Sequence, residues 1–309
     1  MRIVISEFMD DPAVDTLRAD FDVQYEPDLV DRREDLLSAV QTADALIVRN
    51  RTRVDAPLLA AAQKLKAVGR LGVGLDNIDM PACAARRIDV FPATGANARS
   101  VAEYVIATVL LLLRGAYHST AQVAAGDWPR NALSNGREAN QRVLGIVGYG
   151  GIGRLVARLA RGLDMRVIAA DPVLAADDPA WREGLADRAE LDDLLRQADA
   201  ATLHIPLTDA TRGLLNAERL ARMKDGAILI NTARGGIIDE AALADALRSG
   251  KLGGAAIDVF DKEPLVKGSA LADVPNLILT PHIAGLTEEA NTRVSDMTAQ
   301  RVAQALRAG

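Results

Sequence analysis

VLGIVGYGGIGRLVARLARGLDMRVIAAD, Val143 to Asp171, is the stretch whose reading decides the fold. An apolar run, Val143 to Val147, enters Gly148-Tyr149-Gly150-Gly151-Ile152-Gly153. Leu155, Val156 and Leu159 then recur at helical spacing, and a second apolar run, Val167 to Ala170, ends in Asp171. The order is strand, glycine turn, helix, strand, acid. Each part has a task if a dinucleotide binds. Gly148 allows the tight turn, Gly150 lets a pyrophosphate approach the backbone, and Gly153 lets the helix pack on the strand. The helix N-terminus offers unpaired N–H groups and the positive end of its dipole to phosphates. Asp171, at the end of the second strand, is placed to accept hydrogen bonds from ribose hydroxyls. A lone GxGxxG is weak evidence; the complete unit is much stronger.

Working outward, strands follow at Ala200 to Leu203, Ala227 to Ile230, Ala255 to Val259 and Leu277 to Leu279. Helices fit Leu191 to Gln197, Ala217 to Met223 and Glu240 to Arg248, and Leu286 to Arg307 reads as a long final helix. The first third alternates in the same way. Strands are expected at Ile3 to Ile5, near Val23, at Ala45 to Val48, Lys66 to Arg70 and Val90-Phe91. The helices between them include Pro12 to Ala19, one capped by Asp55, and Pro81 to Arg86. Alternation of this kind implies parallel sheets with helices on their faces. No glycine fingerprint follows the first strand. The pattern breaks at Pro92 to Asn97, a candidate hinge. Ser100 and Glu103 then have the spacing of a capping box for an apolar helix ending at Arg114. Tyr117 to Arg142 reads as a short helix and a surface excursion. The fold expected is α/β, two Rossmann-like lobes with parallel sheets and a cleft between them.

Composition narrows the function. At 309 residues the chain has about two domains' worth of length, and 49% hydrophobic residues suffice for two cores. A formal net charge of −6 argues against a general nucleic-acid binder. The single cysteine, Cys83, excludes an internal disulfide framework and fits a reducing compartment. With three histidines it leaves little for structural zinc, so no metal site is assigned. The apolar run Val105 to Leu113 is too short to span a bilayer, and the N-terminus lacks the pattern of a signal peptide. A soluble, cytoplasmic protein without nucleic-acid or membrane partners is expected.

Three segments follow strands of the second half: Asn231-Thr232-Ala233-Arg234-Gly235-Gly236, Asp258 through Glu263-Pro264, and Thr280-Pro281-His282-Ile283-Ala284-Gly285. Ligands of open parallel sheets bind beyond the carboxyl ends of strands. One Arg, one Glu and one His therefore have the chance to meet beside the cofactor, and reduction of a 2-oxo acid needs those types. A guanidinium grips a carboxylate in a planar fork. An imidazolium protonates a carbonyl oxygen as hydride reaches carbon, and a carboxylate beside it favours the charged ring. Taken singly, each has a plainer reading as a loop or surface residue. His204 ends another strand and is read as shaping the cofactor site; His118 is read as a surface residue.

These segments, with Gly69 to Asn77 and Asn97 to Glu103, resemble the D-isomer-specific 2-hydroxyacid dehydrogenases, the family of D-3-phosphoglycerate dehydrogenase, over essentially the whole chain. The resemblance implies that Arg234 binds the substrate carboxylate, that Glu263 pairs with His282, and that His282 is the acid/base. Gly151, Ile152, Asp171, Thr232, Ala233, Asp258, Ala284 and Gly285 match cofactor-contact positions, beside Gly148, Gly150 and Gly153. Val73, Gly74 and Asn97 match substrate-facing positions. The implied division is a substrate-binding domain of residues 1–96 plus 284–309 and an NAD-binding domain of residues 97–283. A homodimer joined through the NAD-binding lobes is implied, as is the lack of the regulatory domain and serine feedback of some relatives.

Asp171 favours NAD over NADP, because its carboxylate repels a 2′-phosphate and Pro172-Val173 supply no cation. In Val48-Arg49-Asn50-Arg51-Thr52-Arg53, three arginines follow a strand. Arg234 already answers one carboxylate, so the extra cations suggest a second anionic group on the substrate, as in 3-phosphoglycerate or 3-sulfolactate. Arg51 is the first choice for that contact and Arg49 the second. The expected activity is NAD-dependent hydride transfer between nicotinamide and C2 of such a D-2-hydroxy acid. The alternatives are a non-catalytic NAD(H)-sensing protein, akin to corepressors, and a glyoxylate or hydroxypyruvate reductase. A formate dehydrogenase is disfavoured, since the related enzymes have Gln where Glu263 stands.

Overall fold

The computed structural model describes residues 1–308; Gly309 and the side chain of His118 lie outside the described residues. In chain order the elements are β1 (Arg2–Ile5), α1 (Asp11–Arg18), β2 (Asp22–Tyr25), α2 (Arg33–Ala39), β3 (Ala45–Val48), α3 (Ala56–Ala61), β4 (Ala67–Arg70), α4 (Met80–Ala85) and β5 (Asp89–Pro92). There follow α5 (Ala98–Arg114), α6 (Thr120–Ala124), β6 (Val143–Val147), α7 (Gly151–Arg161), β7 (Arg166–Ala170), α8 (Pro179–Arg182), β8 (Asp187–Arg188), α9 (Leu191–Gln197) and β9 (Ala200–Leu203). The chain ends with α10 (Ala217–Arg222), β10 (Ala227–Asn231), α11 (Glu240–Arg248), β11 (Leu252–Ile257), β12 (Leu277–Leu279) and α12 (Glu288–Ala308). It divides into two compact units, Met1–Asn97 with Leu286–Gly309, and Ala98–Gly285.

In the first unit, five strands pair in the order β2-β1-β3-β4-β5, all parallel. The buried runs of β1 and β3 have both faces covered, as parallel strands must. On one face Ile3, Ile5 and Ile47 pack with α1 and with Val294, Ala299, Val302 and Leu306 of α12. On the other, Val4, Leu46, Val48 and Val68 pack with α2, α3 and α4. Helix α12 thus belongs to this unit although the whole second unit separates it from β5 in the chain. Gly69 permits its close approach, since a Cβ there would lie 2.7 Å from Thr298 Cγ2 and 2.8 Å from Val302 Cγ2.

In the second unit, seven parallel strands run β12-β11-β10-β9-β6-β7-β8. Helices α5 and α7 cover one face through Val105, Val109, Val156 and Ala160; α9, α10 and α11 cover the other through Leu194, Leu220 and Leu243. The strand order reverses between β6 and β9, which makes the carboxyl ends of those strands the place where a ligand is expected.

Some boundaries differ from those read in the sequence. Helix α5 starts at Ala98, so Ser100 lies inside its first turn rather than before it, and Glu103 pairs with Arg99 instead of closing a capping box. Helix α12 starts at Glu288, where Thr287 Oγ1 accepts the Ala290 N–H at 3.1 Å. Strand β11 starts at Leu252 and runs through Gly253-Gly254, residues that read as strand breakers. The reason is tertiary: a Cβ on Gly254 would come within 2.9 Å of Leu112 Cδ2 on α5. The short α8 and the two-residue β8 have no signal in the hydrophobic pattern.

Candidate active site

One register line organises the second unit. Ala170 pairs with Val147, Val147 with Leu203, Leu203 with Asn231, Asn231 with Ile257, and Ile257 with Leu279. The next residues along the six strands are Asp171, Gly148, His204, Thr232, Asp258 and Thr280. All the candidate catalytic and cofactor positions of this unit lie on or just beyond that line.

The glycine turn has the backbone that its task requires. Gly148 has φ +97°, and a Cβ there would stand 2.4 Å from the His204 carbonyl oxygen. A Cβ on Gly153 would stand 2.2 Å from the Gly148 carbonyl oxygen. Around Gly150 and Gly151, by contrast, an added Cβ meets nothing within 4 Å. That is open space at the start of α7, where Ile152 and Gly153 follow and the first N–H groups have no helical acceptor. Asp171 is held from behind. Its Oδ2 accepts the Tyr149 N–H at 2.8 Å, and its Oδ1 accepts those of Val173 at 2.9 Å and Leu174 at 3.2 Å. Thr232 Oγ1, at one of the candidate cofactor positions, is buried with no hydrogen-bond partner. The residues present therefore fit a dinucleotide.

The Arg, Glu and His candidates are presented by tight local structure. Asn231 is buried; its Oδ1 accepts the Ala233 N–H at 3.0 Å and its Nδ2 donates to the Arg234 carbonyl at 2.9 Å. The turn continues through Gly235, where a Cβ would stand 1.8 Å from the Phe260 carbonyl oxygen, so no side chain is tolerated. Arg234 Nη1 donates to the Ala233 carbonyl at 2.6 Å. Glu263 and His282 meet directly, Oε2 to Nδ1 at 2.9 Å, while Glu263 Oε1 accepts the Phe260 N–H at 3.0 Å. The imidazole thus has its Nδ1 committed to a carboxylate, which fixes the ring's orientation.

His282 itself has φ +56°, an uncommon backbone for a residue with a Cβ. Asp258 holds it there. Its carbonyl accepts the His282 N–H at 2.9 Å. Its carboxylate, buried at 1% exposure, accepts Thr280 Oγ1 at 2.6 Å, the Ile283 N–H at 2.8 Å and the Ala284 N–H at 2.8 Å, just ahead of Gly285. Tyr104 extends the chain from α5, with its hydroxyl 2.7 Å from Thr280 Oγ1. The Thr280 proton is committed to a carboxylate that can only accept, so Tyr104 is the donor. Burial pushes the Tyr104 hydroxyl above its ordinary range. Sequence reading missed Tyr104 and the holding roles of Asn231 and Asp258. Tyr104 sits among apolar residues of a core helix and bears no local mark.

His204 is a different case. Burial pushes its imidazole down to about 4, and its Nε2 lies 3.1 Å from Thr202 Oγ1. Its ring is neutral at neutral pH and, unlike that of His282, meets a hydroxyl and not a carboxylate. A concavity of about 700 Å³ bounded by Arg114, Arg137, Arg142, Asp199 and Lys224 opens at the amino ends of β6 and β9, opposite to the register line.

In the first unit, the substrate candidates lie past the carboxyl ends of β3, β4 and, for Asn97, β5. The Arg51 guanidinium is exposed and engaged by Asp31, with Nη1 3.2 Å from Oδ2 and Nη2 in contact with Oδ1. Arg49 is more deeply set. Its Nη2 donates to Asn291 Oδ1 on α12 at 2.9 Å, and its guanidinium lies 5.7 Å from the centre of the Phe8 ring. Burial disfavours its charge and the nearby Glu7 carboxylate favours it. Val73 is exposed, and Gly74 is fixed by Arg70 Nε, which donates to its carbonyl at 2.8 Å. Asn97 Oδ1 is buried without a hydrogen-bond partner, so it does not cap the helix that follows.

The family model described as "D-isomer specific 2-hydroxyacid dehydrogenase, NAD binding domain" matches residues 106–284. The chain belongs to the D-isomer-specific 2-hydroxyacid dehydrogenases. It is 55% identical over 305 residues to an (S)-sulfolactate dehydrogenase of Chromohalobacter salexigens, covering 98% of both chains. It is 37% identical to a D-3-phosphoglycerate dehydrogenase of Archaeoglobus fulgidus, over 98% of this chain but only 56% of the other, so it spans about half of that relative. Among solved structures it resembles the TT0316 protein of Thermus thermophilus, with TM-score 0.90, 34% identity, and 100% and 97% of the two chains covered. The family member described here is an NAD-dependent oxidoreductase, and the non-catalytic sensor reading is set aside.

Proposed function

We propose that the protein interconverts a D-2-hydroxy acid and its 2-oxo acid, and that the substrate carries a second anionic group, with 3-sulfolactate the first candidate and 3-phosphoglycerate the second. The observation that carries this reading is the Glu263–His282 pair beyond the same register line as the glycine turn and Arg234. The guanidinium of Arg234 grips the C1 carboxylate. His282 protonates the C2 oxygen from Nε2 in reduction and takes that proton back in oxidation, while Glu263 supports the charged ring. Bound nicotinamide supplies or accepts the hydride. Asp171 would hold the ribose hydroxyls and Gly148 to Gly153 the pyrophosphate, and Thr232, Ala233, Asp258, Ala284 and Gly285 would supply the remaining cofactor contacts.

Arg49 and Arg51 serve the second anion, together with Val73, Gly74 and Asn97 as substrate contacts. Arg49 is placed ahead of Arg51, reversing the order that alternation suggests, because Arg51 already has Asp31. The name of the sulfolactate relative agrees with a D-specific site. In sulfolactate the CH₂SO₃⁻ arm outranks the carboxylate in the naming rules, so the S label describes the spatial arrangement called D in lactate. In this reading the first compact unit is the substrate-binding domain and the second the NAD-binding domain; Asn97 falls in the first and Ala284 and Gly285 in the second, against the division into 1–96 plus 284–309 and 97–283 implied by the resemblance.

The decisive experiment is a screen of (S)- and (R)-3-sulfolactate, D-3-phosphoglycerate, D-lactate and D-glycerate with NAD+. The expected result is kcat/KM for one dianionic D acid at least about tenfold above the monoanionic ones. A preference for small monoanions, such as glyoxylate in the reverse direction, would replace this reading by that of a glyoxylate reductase. A homodimer through the second unit is also proposed. Exposed Tyr117 and Trp128, the latter 78% accessible, support it as apolar surface a second copy would cover. Cytoplasmic location is the accompanying reading; no described helix is long and apolar enough to cross a membrane.

A further inference from the structure

The basic loop after β3 rests on a carboxylate that no substrate role explains. Glu7, just past β1, is buried at 4% exposure. Its Oε1 accepts the N–H groups of Arg49 at 2.8 Å and Thr52 at 2.9 Å, and its Oε2 accepts that of Arg51 at 3.1 Å. The loop carbonyls are answered as well: Asn77 Nδ2 donates to those of Arg49 at 3.2 Å and Thr52 at 2.7 Å. A chain turn with several aligned amides is ordinarily an anion-binding nest. Here three of those amides are filled by the protein's own carboxylate. An incoming anion is repelled by that charge and finds the loop amides occupied. The loop is left to act through its side chains, and Arg49 is the guanidinium held in place, by Asn291 and over Phe8.

We infer that Glu7 is a positioning residue for substrate selection: it occupies the amides of Arg49, Arg51 and Thr52 and so makes the Arg49 guanidinium the reader of the substrate's second anion. The inference rests on the proposed dianionic substrate and goes beyond it, since it names what orients the reader. It predicts that selectivity, and not the chemical step, depends on Glu7. In Glu7→Gln the size is kept, but an NH₂ group replaces an acceptor oxygen and faces at least one loop N–H.

The test measures kcat and KM for the best dianionic substrate and for glyoxylate, in wild type, Glu7→Gln and Ser6→Ala. Ser6→Ala is the packing control: it removes a hydroxyl contact to Thr52 at 2.9 Å and leaves the three amide bonds intact. The expected result for Glu7→Gln is a KM raised about tenfold on the dianion, with kcat, glyoxylate KM and NADH affinity near wild type. Ser6→Ala is expected to keep the wild-type ratio. An equal loss on both substrates, an unchanged ratio, or the same loss in Ser6→Ala overturns the inference. If wild type shows no preference for any dianion, the functional reading fails and the inference with it. A wild-type preference that survives Glu7→Gln sinks the inference alone. Should Glu7→Gln not fold, Arg49→Lys replaces it. That change keeps the charge but loses the fork, and a retained selectivity ratio then overturns the assignment of Arg49 as reader.

Discussion

The loop that presents His282 in one unit and the loop that presents Arg49 in the other are built on the same device. Each follows a parallel strand, and each is tied by one buried carboxylate that collects three donors. Asp258 takes Thr280 Oγ1 and the amides of Ile283 and Ala284; Glu7 takes the amides of Arg49, Arg51 and Thr52. The difference lies in what is held. His282 is a short side chain on a backbone at φ +56°, so main-chain geometry sets the position of its ring. Arg49 is a long side chain whose end needs its own supports, Asn291 and Phe8. In the proposed reading chemistry is thus anchored through the backbone and recognition through side-chain contacts, which suits an acid/base that must sit within hydrogen-bond reach of one atom.

The comparison can be broken most forcefully at the ring. His282→Gln is expected to lower kcat by about 10²- to 10⁴-fold while NADH affinity, read by fluorescence titration, stays near wild type. A residual rate near wild type would remove His282 from the chemistry and with it the contrast drawn here. His204 is the counter-case, a strand-end residue in the same unit with no charged anchor. Its folded value of about 4 lies below the ordinary 6.5, so the unfolded chain binds the extra proton between those values. This contribution is complete above pH 6.5 and is lost as pH falls toward 4, by at most about 3 kcal/mol. Denaturant melts of wild type and His204→Gln from about pH 7 to about pH 4 should show a shallower acid loss in the variant; parallel curves would contradict the burial argument.

Asp171 sharpens the comparison from the cofactor side. Its carboxylate is tied by three backbone donors, as Glu7 is, and in the proposed reading its remaining lone pairs serve the ribose. NADH should be favoured over NADPH at least about tenfold in kcat/KM, about 1.4 kcal/mol, and Asp171→Ser should narrow that gap. Equal use of the two cofactors by wild type would defeat this reading. The smallest effect is expected at Tyr104. Tyr104→Phe deletes only the donor to Thr280, so a loss of about 1 kcal/mol in stability and less than about tenfold in kcat is expected. A larger fall in kcat at unchanged melting temperature would show that the Tyr104–Thr280–Asp258 chain tunes the His282 loop more tightly than its distance suggests.

Much of this was legible because it is local. Glycine spacing from Gly148 to Gly153, an acid closing the next strand, and Arg234, Glu263 and His282 just past apolar runs all lie within short windows. Helix starts were less legible. Ser100 with Glu103 has the form of a cap but lies inside α5, and Thr287, the residue that does cap α12, stands in an ordinary polar run. Strand β11 hid behind two glycines, and the close packing of Leu112 that Gly254 permits comes from far away in the chain.

The sequence by itself determined the class of fold, the dinucleotide fingerprint, the family and the candidate reacting side chains, since each is encoded in residue type and short-range spacing. Only the tertiary structure decided which carboxylates carry the loops, that Arg51 pairs with Asp31 while Arg49 leans on Asn291, and that Tyr104 reaches Thr280. Those contacts join residues 20 to 242 positions apart. No local pattern encodes such pairs, because they form only when parallel strands bring their carboxyl ends side by side.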